Sequence, residues 1–297
     1  MTTEKMLTCK FCGENNNTFH FLSYGNTSWY KCGLCKGSWK YPYNCETENA
    51  DRDVNKTYSA YESVRDEMEI VASEKAEWIV SKLSGIKAII ELGAGLGAVA
   101  KQINLRKLGI DFTMIEPNPV FSKPLIEAGL NVLTGDPSRE LAGILSTCRT
   151  DGGKALIFMD NVLEHISNPF DTLKMINELA PAGSKVLIEV PNENGIEWRY
   201  RINNILRGYA KPPTFPGHIN LFGKRSMKAL LQRAGLKNIV VRYRGVRTRN
   251  QIVYLTQNRN ISGLTLAALA VLNCTGIDYM LGVPYWIRAE AIVPGGN

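Results

Sequence analysis

The sequence predicts an α/β chain, a parallel sheet with helices on both faces, preceded by a small cysteine-bound ribbon. Two observations carry the fold class. Between Ile86 and Val190, short apolar runs alternate with helix-patterned stretches, the alternation that specifies a parallel sheet layered between helices. Ahead of them stand Cys9-x-x-Cys12 and Cys32-x-x-Cys35, separated by 19 residues. A third observation bears on partners. The 297 residues include 35 basic and 28 acidic ones, yet 14 basic and no acidic residues fall between Trp198 and Asn260. The rest of the chain is net acidic, so one basic segment, and not the whole protein, attracts an anionic partner. With 44% hydrophobic and 21% charged residues, the composition is globular and excludes a collagen-like, disordered or small disulfide-stapled protein.

Met1 to Lys10 is polar and has no apolar core of signal-peptide type. The longest apolar run, Ile261–Leu272, is shorter than the ~20 residues a spanning helix needs. The expectation is a cytoplasmic protein without stable membrane insertion, whose thiols are free or metal-bound. Each Cys-x-x-Cys can bend as a knuckle that offers two thiolates. Together Cys9, Cys12, Cys32 and Cys35 complete the tetrahedral shell of a structural zinc ion, Zn(2+). Gly13 and Gly33 are expected to permit the turns, and Phe19–Leu22 and Ser28–Tyr30 to form the ribbon's strands. A redox dithiol is the alternative, but such motifs sit beside a βαβ pattern. A closed four-thiolate site has no open position, so no catalytic role is expected of it. His20 is read as a packing residue, and Cys45, Cys148 and Cys274 as small apolar fillers.

Residues 44–58 read as a polar linker, after which Ser59-x-x-Glu62 has the form of a capping box. It would open one long helix, with Tyr61, Val64, Met68, Val71, Trp78, Ile79 and Leu83 at helical spacing and Gly85 as its stop. Strands are expected at Ile86–Leu92, Phe112–Ile115, Val132–Leu133, Ala155–Met159 and Val186–Val190. Helices are expected between them at Ala98–Leu108, Val120–Ala128, Ser138–Cys148 and Pro169–Leu179, the last with Asn168 as N-cap and Pro169 at the first position. Ile239–Tyr243 alternates as a sixth strand, which places Arg242 and Arg244 on one face.

Open sheets of this class bind ligands at the carboxyl ends of their strands. Taken in order, these ends read Glu91-Leu92-Gly93-Ala94-Gly95-Leu96-Gly97, then Glu116-Pro117-Asn118, Gly135-Asp136-Pro137 and Asp160-Asn161-Val162-Leu163-Glu164-His165. The glycines allow close approach of backbone to a ligand at a helix N-terminus, and Glu116 stands where a carboxylate grips ribose hydroxyls. Gly93, Gly95 and Ala98 also satisfy a dinucleotide pattern, so an NAD-dependent oxidoreductase is an alternative.

This series resembles the class I S-adenosylmethionine-dependent methyltransferases over roughly residues 85–190, and more loosely to the C-terminus. The resemblance implies a Rossmann-like seven-stranded sheet, mostly parallel with the last strand antiparallel, the closing strand falling at Tyr285–Val293. It implies S-adenosyl-L-methionine as cofactor. Glu91, Gly93, Ala94, Gly95 and Gly97 would lie beside its methionine portion, and Glu116, Pro117 and Asn118 by the ribose. Asp136 and Pro137 would meet the adenine, and Asp160 and Asn161 the reacting end. Asp160–Pro169, Pro181-Ala182-Gly183 and Glu189-Val190-Pro191-Asn192 resemble a branch of small-molecule and sugar C- and O-methyltransferases with a leucine-glutamate-histidine sequence. Ala182 replaces that branch's usual glycine.

The resemblance divides the chain into a zinc ribbon (1–45), a linker and entry helix (46–84) and a methyltransferase domain (85–297). The last would carry an acceptor-side loop at 192–224 and an insertion at 250–283. Deprotonating an acceptor needs a general base, for which the candidates are His165, Glu164 and His218. An acceptor bearing phosphate suits the arginines. The favoured acceptor is a small anionic molecule of nucleotide-sugar type. A zinc ribbon before such a domain also resembles ribosomal-RNA base methyltransferases, so RNA is an alternative partner. A zinc-ribbon nucleic-acid-binding protein with a vestigial cofactor fold is a third reading.

Overall fold

A computed structural model of the chain describes residues 7–24, 27–42, 54–193, 217–245, 250–251 and 286–295. Cys45, Cys274, the apolar run 261–272, most of the expected insertion, and the arginines at 199, 201, 207, 247, 249 and 259 lie outside the described residues. Among the described residues no helix is long and apolar enough to cross a membrane.

The ribbon comprises β1 (Thr18–Tyr24), β2 (Thr27–Cys32) and β3 (Ser38–Tyr41), paired antiparallel in that order. The first of its knuckles closes as expected and the second does not. In the first, Gly13 adopts φ 82° and its N–H reaches the Cys9 carbonyl at 3.0 Å. In the second the left-handed residue is Lys36 (φ 64°), not Gly33. At Gly33 a Cβ would meet the exposed Asn17 side chain at 1.9 Å, and that side chain would have to turn away.

Next come α1 (Val54–Glu62) and α2 (Arg65–Val80). The single helix expected from Ser59 is thus two, and Ser59 lies inside the first. Ser63 bonds back to the Ala60 carbonyl at 2.7 Å, and Val64 departs from helical geometry with φ −125°. The doubly wound part follows. Its elements are β4 (Ala88–Leu92), α3 (Ala98–Asn104), β5 (Asp111–Ile115), α4 (Pro119–Glu127), β6 (Val132–Leu133), α5 (Pro137–Thr150) and β7 (Ala155–Asp160). After a 3-10 turn at Leu163–His165 come α6 (Pro169–Leu179) and β8 (Lys185–Pro191). The described chain ends with β9 (Asn220–Leu221), α7 (Lys224–Arg233), β10 (Lys237–Arg244) and β11 (Trp286–Ile292). Pro169 does open α6, whereas Asn168 makes no cap bond and its amide turns to Asp171.

The large sheet has seven strands in the order β10-β11-β8-β7-β4-β5-β6. The pairs among β4 to β8 are parallel, and β11 runs antiparallel to both neighbours. This is the expected α/β sheet, mostly parallel with its last strand reversed. Side chains alternate across it as the pleat requires. Leu156, Phe158 and Leu187 face Ala72, Ala76 and Ile79 of α2 and Val99 of α3. Ile157, Met159, Ile188 and Val190 face Leu141, Leu173, Leu230 and Leu231 of α5, α6 and α7.

The second core contains Cys9, Phe11, Cys32, Cys35 and Trp39 as well. The ribbon therefore packs on the sheet layer. Strand β9 completes the contact by pairing with β3, with Ser38 opposite Leu221 and Trp39 opposite Asn220. Phe11 meets Phe222 edge-on at 5.2 Å, and Arg233 reaches the carbonyl of Lys10 at 3.1 Å while covering the Phe170 ring. A two-residue strand has no sequence period, so nothing in the sequence announces this join.

Candidate active site

The carboxyl ends of β4 and β5 fold into one loop system. Gly93, Gly95 and Gly97 all take positive φ, at 74°, 53° and 66°. At Gly97 a Cβ would collide with Leu125 at 2.6 Å, whereas at Gly95 it would project into open space. Gly95 thus bares the backbone on the outer side of the turn, where a ligand can approach closely. Glu116, almost fully buried, accepts from Gly95 N–H at 2.9 Å and from Asn118 N–H at 3.0 Å. Asn118 then caps α4 by accepting from Val120 N–H, while Ala94 is half-buried and Pro117 exposed. Beyond β6, Asp136 is exposed and caps α5 through Arg139 N–H at 2.9 Å, with Pro137 as the first helical residue. Tyr58 packs against Phe121 at 5.8 Å and lines a cleft with Arg65, Leu96 and Lys101 behind the glycine loop.

Glu91 is buried at the end of β4 and its Oε2 has no hydrogen-bond partner. Burial, and then the charges of Asp160 and Glu116, push its carboxyl well above the usual range. A carboxyl raised by folding adds stability that is complete below its unfolded value and is lost as pH rises through the folded one. Glu91→Gln escapes that loss. In ligand-free protein its melting temperature should gain on the parent's as pH rises above the usual carboxylate range; a constant difference would contradict the assignment.

Asp160, at the end of β7, receives Lys75 Nζ on both oxygens at 2.7 and 2.6 Å and the Asn161 amide at 2.9 Å. Asn161 holds a left-handed φ of 53° at this strand end, a conformation that asparagine adopts more readily than most residues. Lys75, only 2% exposed, also lies 3.1 Å from Glu189 Oε1. Glu189 takes Arg288 and Arg244 as further partners. Burial pushes Glu189 up, but Lys75, Arg288 and Arg244 outweigh it and bring the carboxyl down to about 2. Arg244 also pairs with Glu74.

The sequence reading missed this network, though signals existed. Lys75 falls between Val71 and Ile79 on the face of α2 that packs inward, and Glu189 interrupts an otherwise apolar run. The network also corrects the reading of Arg244. Its charge is neutralised by acids within the fold and is not presented to an anionic acceptor.

The third group surrounds the 3-10 turn. Glu164 is fully buried, and both of its oxygens lack a hydrogen-bond partner. Burial and the charges of Glu193 and Asp160 push its carboxyl well above the usual range. His165 donates from Nδ1 to the Gly217 carbonyl at 2.7 Å, and His218 from Nδ1 to Glu193 Oε1 at 3.0 Å. These acceptors fix both tautomers, since a carbonyl and a carboxylate only accept. The two imidazoles meet edge to face at 4.9 Å. The loop carrying His218 is fastened by Ile219 N–H to the Glu164 carbonyl at 2.9 Å, and by Lys40 N–H of β3 to the Ile219 carbonyl at 3.0 Å. The ribbon thereby sets the position of a histidine nearly two hundred residues further along the chain.

The strand order and this arrangement of strand ends agree with one family. A family model described as a methyltransferase domain matches residues 74–241, more than half of the chain. The chain belongs to this methyltransferase family. It is an S-adenosylmethionine-dependent methyltransferase, which sets aside the NAD-dependent and non-enzymatic alternatives. No curated protein matches the sequence. Among solved structures, the methyltransferase is similar to a SAM-dependent methyltransferase from Archaeoglobus fulgidus. That match has 17% identity and a TM-score of 0.48, covering 75% of this chain and 94% of that one. A SAM-dependent methyltransferase from Thermotoga maritima matches at 14% identity, TM-score 0.49, covering 81% and 96% respectively. A phosphoethanolamine N-methyltransferase from Haemonchus contortus matches at 13% identity, TM-score 0.49, covering 93% of this chain and 72% of that one.

In the methyltransferase the four cysteine sulfurs lie within 4.8 Å of one another, Cys9 to Cys35 and Cys12 to Cys32 at 3.6 Å. Such separations are too long for disulfides, whose sulfurs lie ~2.05 Å apart. His20 is not among these residues; it bonds Ser23 at 2.8 Å and packs on Tyr30. Cys148 is half-buried against the large core.

Proposed function

We propose that the enzyme transfers a methyl group to a small anionic acceptor, most closely a nucleotide-linked sugar. The acceptor would be activated at Glu164, His165 and His218. S-adenosylmethionine, when bound, supplies an electrophilic sulfonium methyl group. Glu91, Gly93, Ala94, Gly95 and Gly97 are assigned to its methionine end, Glu116, Pro117 and Asn118 to its ribose, and Asp136 and Pro137 to its adenine. Asp160 and Asn161 are assigned to the reacting end. The residues fit such a group. The unpartnered Glu91 Oε2 suits an ammonium, and the open side of Gly95 admits a ligand against backbone.

The chain's own contribution is alignment and proton removal. With Nδ1 of His165 held by Gly217, its Nε2 is the basic atom for an acceptor hydroxyl or carbon acid. The His218–Glu193 pair has the same polarity. The observation that carries this reading is the pair of oriented imidazoles, one on the turn that follows β7 and one on the loop bonded to that turn. A small acceptor is favoured over RNA because Arg233 and Arg244 of the basic segment are turned into the fold. Two arginines engaged internally weaken a polyphosphate track more than a site for one phosphate.

We assign the four cysteines to a structural zinc ion. Tetrahedral thiolates at ~2.3 Å from zinc stand about 3.8 Å apart, close to the 3.6 Å pairs of the ribbon.

Screening nucleotide-sugars and cellular RNA with isotope-labelled S-adenosylmethionine tests the acceptor class by mass spectrometry. Label is expected in a nucleotide-sugar, and label confined to RNA would overturn the proposal. His165→Ala is expected to lower turnover by roughly 100- to 10,000-fold and to leave S-adenosylhomocysteine affinity unchanged by calorimetry. Unaltered turnover removes His165 from the chemistry.

A further inference from the structure

We propose that Glu164, His165 and His218 form a binding site for a first-row divalent cation, separate from the four-cysteine cluster. One ligand atom from each of the three lies within 4.8 Å of the other two. Ligands around one ion at ~2.1 Å stand roughly 3 to 3.5 Å apart, so the three groups would draw closer together around an ion.

Three features distinguish this cluster from an accidental meeting of polar groups. Glu164 is fully buried with both carboxylate oxygens unpartnered. Buried polar groups are normally satisfied, so an acid kept here needs either a proton or a cation. Second, each histidine donates its Nδ1 hydrogen to an outer group, Gly217 carbonyl at 2.7 Å for His165 and Glu193 Oε1 at 3.0 Å for His218. Metal-ligating histidines show this arrangement, because an outer acceptor fixes the ring and makes the other nitrogen a better donor to the ion. With Nδ1 so engaged, the proposed ligand atom is Nε2 of each ring. Third, the two segments are already fastened together. Asn220 Nδ2 bonds the carbonyls of Leu163 at 3.3 Å and Ile166 at 2.6 Å, and β9 is anchored to the ribbon. A site whose ligands come from residues 164–165 and 218 is thus built before any ion arrives.

Two imidazoles and one carboxylate suit manganese, iron, cobalt or zinc better than calcium or magnesium, which prefer oxygen ligands. Three protein ligands leave coordination positions open for an acceptor. An acceptor hydroxyl coordinated there would be acidified and would release its proton to solvent. With an ion bound, the imidazoles would be ligands instead of bases. This is an alternative to the metal-free activation described above, and Mn2+ binding decides between the two. This role in catalysis rests on the acceptor reading above; the existence of the site does not.

Manganese separates the two metal sites, since it is a poor competitor for thiolates. Tag-free full-length protein is titrated with Mn2+ and the unbound ion is read by electron paramagnetic resonance. One bound ion per chain is expected. Its electron spin-echo modulation should show nitrogen coupling from coordinated imidazole. Glu164→Gln and His218→Ala should each weaken binding at least tenfold, and the distant His20→Ala should not. No bound Mn2+, bound Mn2+ without nitrogen coupling, or undiminished binding in both variants would overturn the site. If either variant fails to fold, the nitrogen coupling in the parent protein decides alone. S-adenosylhomocysteine titration runs in parallel. A protein that binds Mn2+ with nitrogen coupling but no S-adenosylhomocysteine keeps the cation site and loses the methyltransferase chemistry proposed for it.

Discussion

Stripping the zinc proposed for the four cysteines is expected to destabilise the catalytic half of the enzyme together with the ribbon, in one transition. Cys9, Cys32 and Cys35 share a core with Phe222, Met227, Leu230 and Leu231, so ribbon and sheet layer lose packing together. Strand β9 also loses its partner β3, and with it the anchoring of the His218 loop. Structural zinc contributes roughly 10 to 16 kcal/mol in small domains, comparable with the ~5 to 15 kcal/mol that holds a typical domain folded. Even a third of that effect lowers the melting temperature by about 5 to 9 °C for a chain of this size. Calorimetry after chelation, or on Cys32→Ser, measures it. A second, higher transition left at the parent temperature would show that the sheet does not depend on the ribbon. Turnover should fall with the ribbon even under conditions where the sheet persists, because His218 would no longer be held against Glu193.

The division between what the sequence discloses and what it hides follows from range. Ala155–Asp160 and Lys185–Pro191 are legible as strands because burial on both faces demands an unbroken apolar run. Glu91, Glu116, Asp136 and Asp160 can be picked out as a candidate set because each lies at or within a few residues of the end of its strand. The cysteine spacing is equally local. The Ser59-x-x-Glu62 motif misleads for the same reason. A capping box is a local pattern, and the chain satisfies it inside a helix whose end is set instead by Ser63 and Val64. Long-range pairings leave no such trace. Arg244 finds Glu189 at a separation of 55 residues and Glu74 at 170. A count of arginines in one segment therefore overstates the charge offered to an acceptor. Glu193 stands outside the strand pattern altogether, and only the folded loop brings it to His218.

Lys75→Met should be the most damaging single substitution on α2, even though it replaces a charge with an apolar side chain of similar length. Lys75 is 2% exposed and bridges Asp160 and Glu189. Two acids facing each other across paired strands β7 and β8 would then be buried without the cation between them. Arg288 and Arg244 still neutralise Glu189, so the uncompensated charge falls on Asp160, which would keep only the Asn161 amide. Breaking one side of a buried pair costs ~3 to 5 kcal/mol, and urea unfolding should show a loss in that range. The cause is testable by removing the stranded charge as well. Asp160→Asn in the Lys75→Met background should recover part of the loss, although Asp160→Asn alone is destabilising. The two changes are then non-additive by about 1 kcal/mol or more, as expected of groups in contact. Additive losses would instead trace the effect of Lys75→Met to altered packing of α2. Cofactor affinity separates the two accounts again. An unpaired Asp160 carboxyl raises the field at Glu91, so binding of S-adenosylhomocysteine should weaken with Lys75→Met and be partly restored in the double variant.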